Sequence, residues 1–257
     1  MGLFDELYHQ NDTSQERRMF SVTTGKVVKN WDSKHPGMVQ VELFLSESGK
    51  NRTDWVRVAQ PYAGKERGVY FLPEVGDEVV LAFNEGDRDH PIVIGSLWSK
   101  ANAFPKGAPG EKNEIKTIRT QSGCEVTFSD KKDKASIQIR TKGGLTVLLE
   151  DESKTVTIRD GNKKNLITVN GKDGAVSVKA SKKLVLDVGS GSLTLDGQGK
   201  KATLKMGTIN IEAGQSLTLK GQNVKLEGSM AALKASGNME VKAGGILTLK
   251  GSMAKIN

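Results

Sequence analysis

Apolar and polar positions alternate along most of this chain with the period of a β-strand. The pattern is most regular from Lys205 to Asn257. Short apolar–polar–apolar triplets recur there: Ile209-Asn210-Ile211, Leu217-Thr218-Leu219, Val224-Lys225-Leu226, Leu233-Lys234-Ala235, Met239-Glu240-Val241, Leu247-Thr248-Leu249 and Ala254-Lys255-Ile256. Each triplet puts two apolar groups on one face of a strand and one polar group on the other. Gly214, Gly221, Gly228, Gly237, Gly244 and Gly251 separate the later triplets and supply corners between them. A repeat this short cannot bury its own apolar face and has to stack on copies of itself. The expectation is a rod.

Looser alternation precedes the regular repeat. Ile137-Gln138-Ile139, Leu145-Thr146-Val147, Val156-Thr157-Ile158, Ile167-Thr168-Val169, Val176-Ser177-Val178, Leu184-Val185-Leu186 and Leu193-Thr194-Leu195 follow one another at steps of eight to eleven residues. Turn signals such as Asp160-Gly161-Asn162 and Asn170-Gly171 lie between them. This stretch predicts a β-strand shaft over 116–204 leading into the regular spike over 205–257. Upstream, residues 99–115 hold Pro105, Gly107, Pro109 and Gly110 with few apolar positions, and read as a linker or neck.

Residues 21–98 change character. Five strand-like stretches, Ser21–Val28, Met38–Leu45, Asp54–Val58, Asp77–Phe83 and Pro91–Leu97, are divided by turn-forming runs such as Asp32 to Gly37 and Asn84 to Asp87. Five strands in so short a segment, with no helix between them, predict a small barrel of the OB type. The first twenty residues form an N-terminal arm in which Leu3, Phe4, Leu7 and Tyr8 would share one face of a short helix, a candidate docking surface for a hub partner.

Charge divides the chain in the same place. Residues 1–103 carry 12 Lys and Arg against 15 Asp and Glu, whereas residues 104–257 carry 26 against 15. The net charge of +8 thus resides in the shaft and spike, where Lys and Thr occupy the water-facing middle of the triplets. An OB barrel that binds nucleic acid presents a positive groove lined with stacking aromatics. Trp31, Phe44 and Trp55 are available, but 10 basic residues against 11 acidic ones over 21–103 argue against it, and no nucleic-acid partner is expected.

Chemistry-bearing constellations are sparse. His9, His35 and His90 all precede the shaft, leaving it no imidazole for a base or a metal ligand. His90 adjoins Asp89, but neighbours on a strand face opposite ways, which makes the pair a poor catalytic one. The sequence holds no nucleophile elbow and no P-loop, and Glu150-Asp151-Glu152 reads as a solvated turn. The lone Cys124 is expected to be a packed small apolar residue. No apolar run reaches the roughly 18 residues of a membrane span. The first residues lack the order of a secretory signal. The expectation is a non-enzymatic protein without cofactor or metal, made in the cytoplasm.

Gly68 to Phe83, with Pro73, Glu74, Gly76 and Asp77 in order, is followed by Gly86-Asp87 and by Pro91-Ile-Val-Ile-Gly-Ser-Leu97. This run closely resembles the OB-domain signature of the phage baseplate assembly protein V and VgrG spike family. Gly25 to Asp32 and Met38 to Glu42 look like that family's first two strands, and Lys116 to Asp130 looks like its neck. The resemblance departs at Cys124, where family members often carry histidine.

The repeat itself permits either one chain coiled as a β-helix or three chains wound as a triangular prism. The resemblance implies the second, an intertwined trimeric β-helix behind an OB barrel. It also implies a structural role: the central spike of a contractile injection machine (phage tail, tailocin, extracellular injection particle or type VI-like), delivered to the target cell envelope. The short arm before the barrel favours a separate hub protein. Met253, Lys255, Ile256 and Asn257 are the candidate seat for a PAAR-type tip protein. The alternative is a single-chain β-helical adhesin or glycan-binding protein anchored by an OB fold.

Overall fold

The computed structural model describes residues 22–44, 51–87, 89–253 and 255. The described chain is all-β apart from one 3-10 turn at Asn84–Gly86. It divides into two units, residues 1–184 with 196–199, and residues 185–195 with 200–257.

The first unit opens with a barrel. Strands β1 (Val22–Lys29), β2 (Met38–Leu43), β3 (Val56–Val58), β6 (Glu78–Phe83) and β7 (Pro91–Leu97) close in the order β1-β2-β3-β7-β6. These are the five stretches read from the sequence, with ends shifted by one or two residues. All pairings are antiparallel except β3 with β7. Alternate residues point inward, and Val27, Val39, Val41, Val56, Val79, Leu81 and Val93 form the core. Closure leaves no free sheet edge in the barrel.

Gly25 sits where β1 crosses β2. A Cβ there would lie 2.6 Å from both the Glu42 carbonyl oxygen and Val41 Cγ1. Asn30 Nδ2 donates to the Pro73 carbonyl at 3.2 Å and ties the end of β1 to the loop entering β6. That loop carries a small hairpin, β4 (Ala63–Gly64) with β5 (Arg67–Gly68), which has no counterpart in the sequence pattern.

The rest of the first unit is a seven-stranded antiparallel meander. It runs β8 (Ile115–Arg119), β9 (Glu125–Ser129), β10 (Ser136–Arg140), β11 (Thr146–Glu150), β12 (Thr155–Arg159), β13 (Leu166–Asn170) and β14 (Ala175–Lys179), each strand paired only with its sequence neighbours. A separate three-stranded sheet follows in the sequence, made of β15 (Lys183–Val188), β16 (Gly191–Asp196) and β17 (Lys201–Lys205), in that order. From residue 206 to 253 the chain forms neither helix nor strand and bends at 207, 214–215, 222, 229, 236–237, 244–245 and 252, a step of seven or eight residues.

Candidate self-association surface

The meander has two chemically distinct faces. On one, registered cross-strand neighbours form two continuous apolar rows. The first runs Ile118, Val126, Ile139, Val147, Ile158, Ile167, Val178; the second runs Phe128, Ile137, Leu149, Val156, Val169, Val176. The opposite face carries Thr117, Thr127, Gln138, Leu148, Thr157, Thr168 and Ser177 in the middle of the strands.

A soluble sheet covers its apolar face and wets its polar one. Here the order is reversed. Ile158 is 48% exposed and Val176 70%, while Thr157 and Thr168 on the other face are half-buried. Among the described residues nothing covers the apolar rows, and Ile139, Val147, Ile158, Ile167 and Val178 line an open hollow of about 510 Å³ on that face. Monomeric soluble proteins rarely expose so continuous an apolar surface.

Residues 206–253 carry a second unmet requirement. Among the described residues this segment pairs with no strand of its own chain. Every residue from Leu204 to Met253 is exposed, Met230 to 88% and Ile246 to 92%. The triplets are thus evenly cornered and apolar, yet among the described residues their main-chain donors and acceptors find no ladder. A segment of this length gains stability only when those groups and side chains meet partners.

Of the residues singled out for docking, Met253 and Lys255 lie among the described residues. Met253 is 76% exposed and Lys255 is exposed, whereas Ile256 and Asn257 lie outside the described residues, as do Leu3, Phe4, Leu7 and Tyr8. Cys124 is not packed as the sequence reading expected. It is exposed in the turn between β8 and β9, held by a hydrogen bond from its N–H to Thr120 Oγ1 at 3.1 Å. Strand alternation aligns it with Val126 and Phe128, so it lies at the end of the bare apolar face and shares its exposure. The backbone N–H of Lys142 and the Ser122 hydroxyl hydrogen-bond to its sulfur and lower the thiol's pKa.

The barrel's polar groups are also solvent-facing. His90 pairs with Asp87, Nδ1 to Oδ2 at 2.8 Å, rather than with the adjacent Asp89. The bond lowers the pKa of the Asp87 carboxyl and raises that of the imidazole. His35 stacks on Trp55 with ring centroids 5.5 Å apart and bonds Asp32 at 2.9 Å. Trp31 and Phe44 are exposed, as are Tyr62, Tyr70 and Phe71 around the small hairpin, which alternation gave no reason to single out. Among the described residues no group of three or more His, Cys, Asp or Glu is arranged to hold a metal ion. No helix among the described residues is long and apolar enough to cross a membrane.

A closed five-stranded barrel of this order is the fold of an OB domain. Residues 23–98 match the family model of the type VI secretion system/phage-baseplate injector OB domain. Curated relatives include the type VI secretion system spike protein VgrG3 of Vibrio cholerae, 31% identical over 119 residues, which is 45% of this chain and 12% of that protein. The spike protein VgrG1a of Pseudomonas aeruginosa is 28% identical over 166 residues, 55% of this chain and 26% of the relative. VgrG5 of the same organism is 30% identical over 153 residues, 56% of this chain and 19% of the relative. The matches span about a quarter or less of these relatives' lengths. Together, the barrel match and the relatives support the VgrG/baseplate spike family for this chain.

Proposed function

We infer that the protein is a structural spike of a contractile injection system and that it works as a homotrimer. The observation that carries this reading is residues 206–253, regularly cornered and with no strand partner among the described residues of their own chain. Three copies wound together would supply each triplet with hydrogen-bonding neighbours on both sides and would turn the apolar pairs inward. The same assembly would cover the two apolar rows of the meander. A single chain coiled on itself would instead pair its own triplets, which counts against the adhesin reading.

In this role the barrel end seats on a hub, with the arm around Leu3, Phe4, Leu7 and Tyr8 as the docking element. The far end, at Met253, Lys255, Ile256 and Asn257, receives a tip protein of the PAAR type. The assembly transmits sheath contraction to the target envelope. Many main-chain bonds sharing one load suit that task, because failure requires breaking them together. The role is mechanical and needs no catalysis, cofactor or nucleic acid.

Sedimentation velocity on the full chain tests the reading. A species of three times the 27.7 kDa chain mass, stable to dilution and with the high frictional ratio of an elongated particle, is the expected result. A monomer would refute it.

A further inference from the structure

The meander carries its charge unequally on its two lateral edges, and this bears on how copies meet. In an antiparallel meander successive turns fall at alternate edges. One edge comprises residues 119–125, 140–146, 159–166 and 179–182, with eight Lys and Arg against two acidic residues. The other comprises 129–136, 150–155 and 170–175, with five basic residues against six acidic ones. On the basic edge Arg119, Arg140, Arg159 and Lys179 are the last residues of β8, β10, β12 and β14, one above another along the sheet. Arg119 has an in-chain partner, Glu125 at 3.3 Å. Among the described residues Arg140, Arg159 and Lys179 have no ion pair. On the other edge Glu150, Asp151 and Glu152 close β11, the strand that lies between β10 and β12.

We propose that the apolar face of the meander is covered by a second copy of this chain packed head to tail, with the basic edge of one copy against the Glu150–Asp151 edge of the next. The proposal rests on the trimer reading and specifies its corners. Two different edges meeting in one contact make a heterologous interface, which closes into a ring when the rotation permits. Three equivalent corners result, each joining unlike charge. Packing like edge to like edge would set Arg140 and Arg159 against their own copies and cost favourable electrostatics at every contact. Copies related by rotation about an axis across the strands keep the same level, so the β11 turn of one copy lies opposite Arg140 and Arg159 of the next. The apolar rows supply the attraction, and the charged edges fix direction and register.

Charge exchange on the full chain tests this. R140E/R159E makes both edges acidic at this level, and E150K/D151K makes both basic. Each variant should raise the trimer dissociation constant about tenfold or more, equivalent to about 1.4 kcal/mol, as read by sedimentation over a dilution series. The variant carrying all four substitutions restores unlike edges with reversed sign and should return to within about threefold of the native value. It also controls for folding damage, since it contains every change of the two weakened proteins. A trimer indifferent to the one-sided variants would overturn the corner assignment and leave the trimer standing. So would a four-substitution variant no stronger than its parents. A native chain that sediments as a monomer would remove both readings.

Discussion

Replacing Ile158 by alanine separates a covered sheet face from a bare one. Ile158 lies in the middle of the first apolar row, opposite Val147 on β11 and Ile167 on β13, and is 48% exposed in the single chain. If the face stays open to water, the substitution is a surface change and should shift stability by no more than about 0.5 kcal/mol. If copies cover it, the change removes three carbons from a packed interior. Large-to-small changes of this kind cost about 2 to 5 kcal/mol. Because about half of the side chain is already shielded within its own sheet, the low end applies, about 2 kcal/mol for each copy. Summed over three copies, the trimer loses about 6 kcal/mol, or about four decades in its dissociation constant. Thr168→Ala on the opposite face of β13 is the control, expected to change stability by less than about 1 kcal/mol. The assay is urea unfolding of both variants at several protein concentrations, where a trimer's midpoint rises with concentration. An Ile158→Ala protein within 0.5 kcal/mol of the native one would show that the apolar rows remain bare and would remove the packing argument.

Three further outcomes follow from local geometry. Gly25→Ala forces a methyl against the Glu42 carbonyl and Val41, each 2.6 Å from the added carbon. Overpacking of this kind costs about 1 to 3 kcal/mol, to be read as a lowered melting temperature. His90 should titrate by NMR above the ordinary imidazole value because Asp87 stabilises its charged form, and Asp87→Asn should return it. The sign follows: the folded-state pKa of His90 is raised, so the pair's small contribution is present at acid pH and lost as pH rises through that pKa. Deleting Gly251–Asn257 should abolish capture of a PAAR-type tip protein in a pull-down while sedimentation still reports a trimer. Retained capture would refute the tip assignment.

The barrel was legible in the sequence because its strands alternate cleanly and end at Gly, Pro and Asp-rich turns. Val39 and Val41, or Val79 and Leu81, announce an inward face by spacing alone. The hairpin of Ala63–Gly64 with Arg67–Gly68 was not legible, since two-residue strands have no period. Leu145-Thr146-Val147 shows a subtler limit. Alternation read Leu145 as the partner of Val147 within a strand, but β11 begins at Thr146 and pairs Val147 and Leu149 with β10. Leu145 belongs to the turn, where its N–H donates to Thr141 Oγ1 at 3.2 Å, and Thr146 is nearly sealed with its hydroxyl on the Gly144 carbonyl at 2.9 Å. Turn length, not hydrophobicity, sets that register. Cys124 was misjudged for a related reason. It was expected to be packed, but the apolar face on which it lies has no cover among the described residues of one chain.

The edge charges lie deepest beneath the sequence. Arg119, Arg140, Arg159 and Lys179 are about twenty residues apart and share no local motif. Only the folding back of successive strands brings them to one margin, while the same folding carries Glu150 and Asp151 to the other. A count over the whole shaft sees a basic surface and assigns it to solvent. The topology resolves that surplus into a positive margin and a slightly negative one on the same sheet. Solvation alone places no demand on which turn carries which sign, whereas closure of identical copies does: each must offer its neighbour the complement of what it receives. A chain with both an uncovered apolar face and unlike margins therefore has a cohesive term and a directional one. The cohesive term should survive high salt and the directional term should weaken with it, so the one-sided charge variants should approach the native trimer's stability as ionic strength rises, while Ile158→Ala should not.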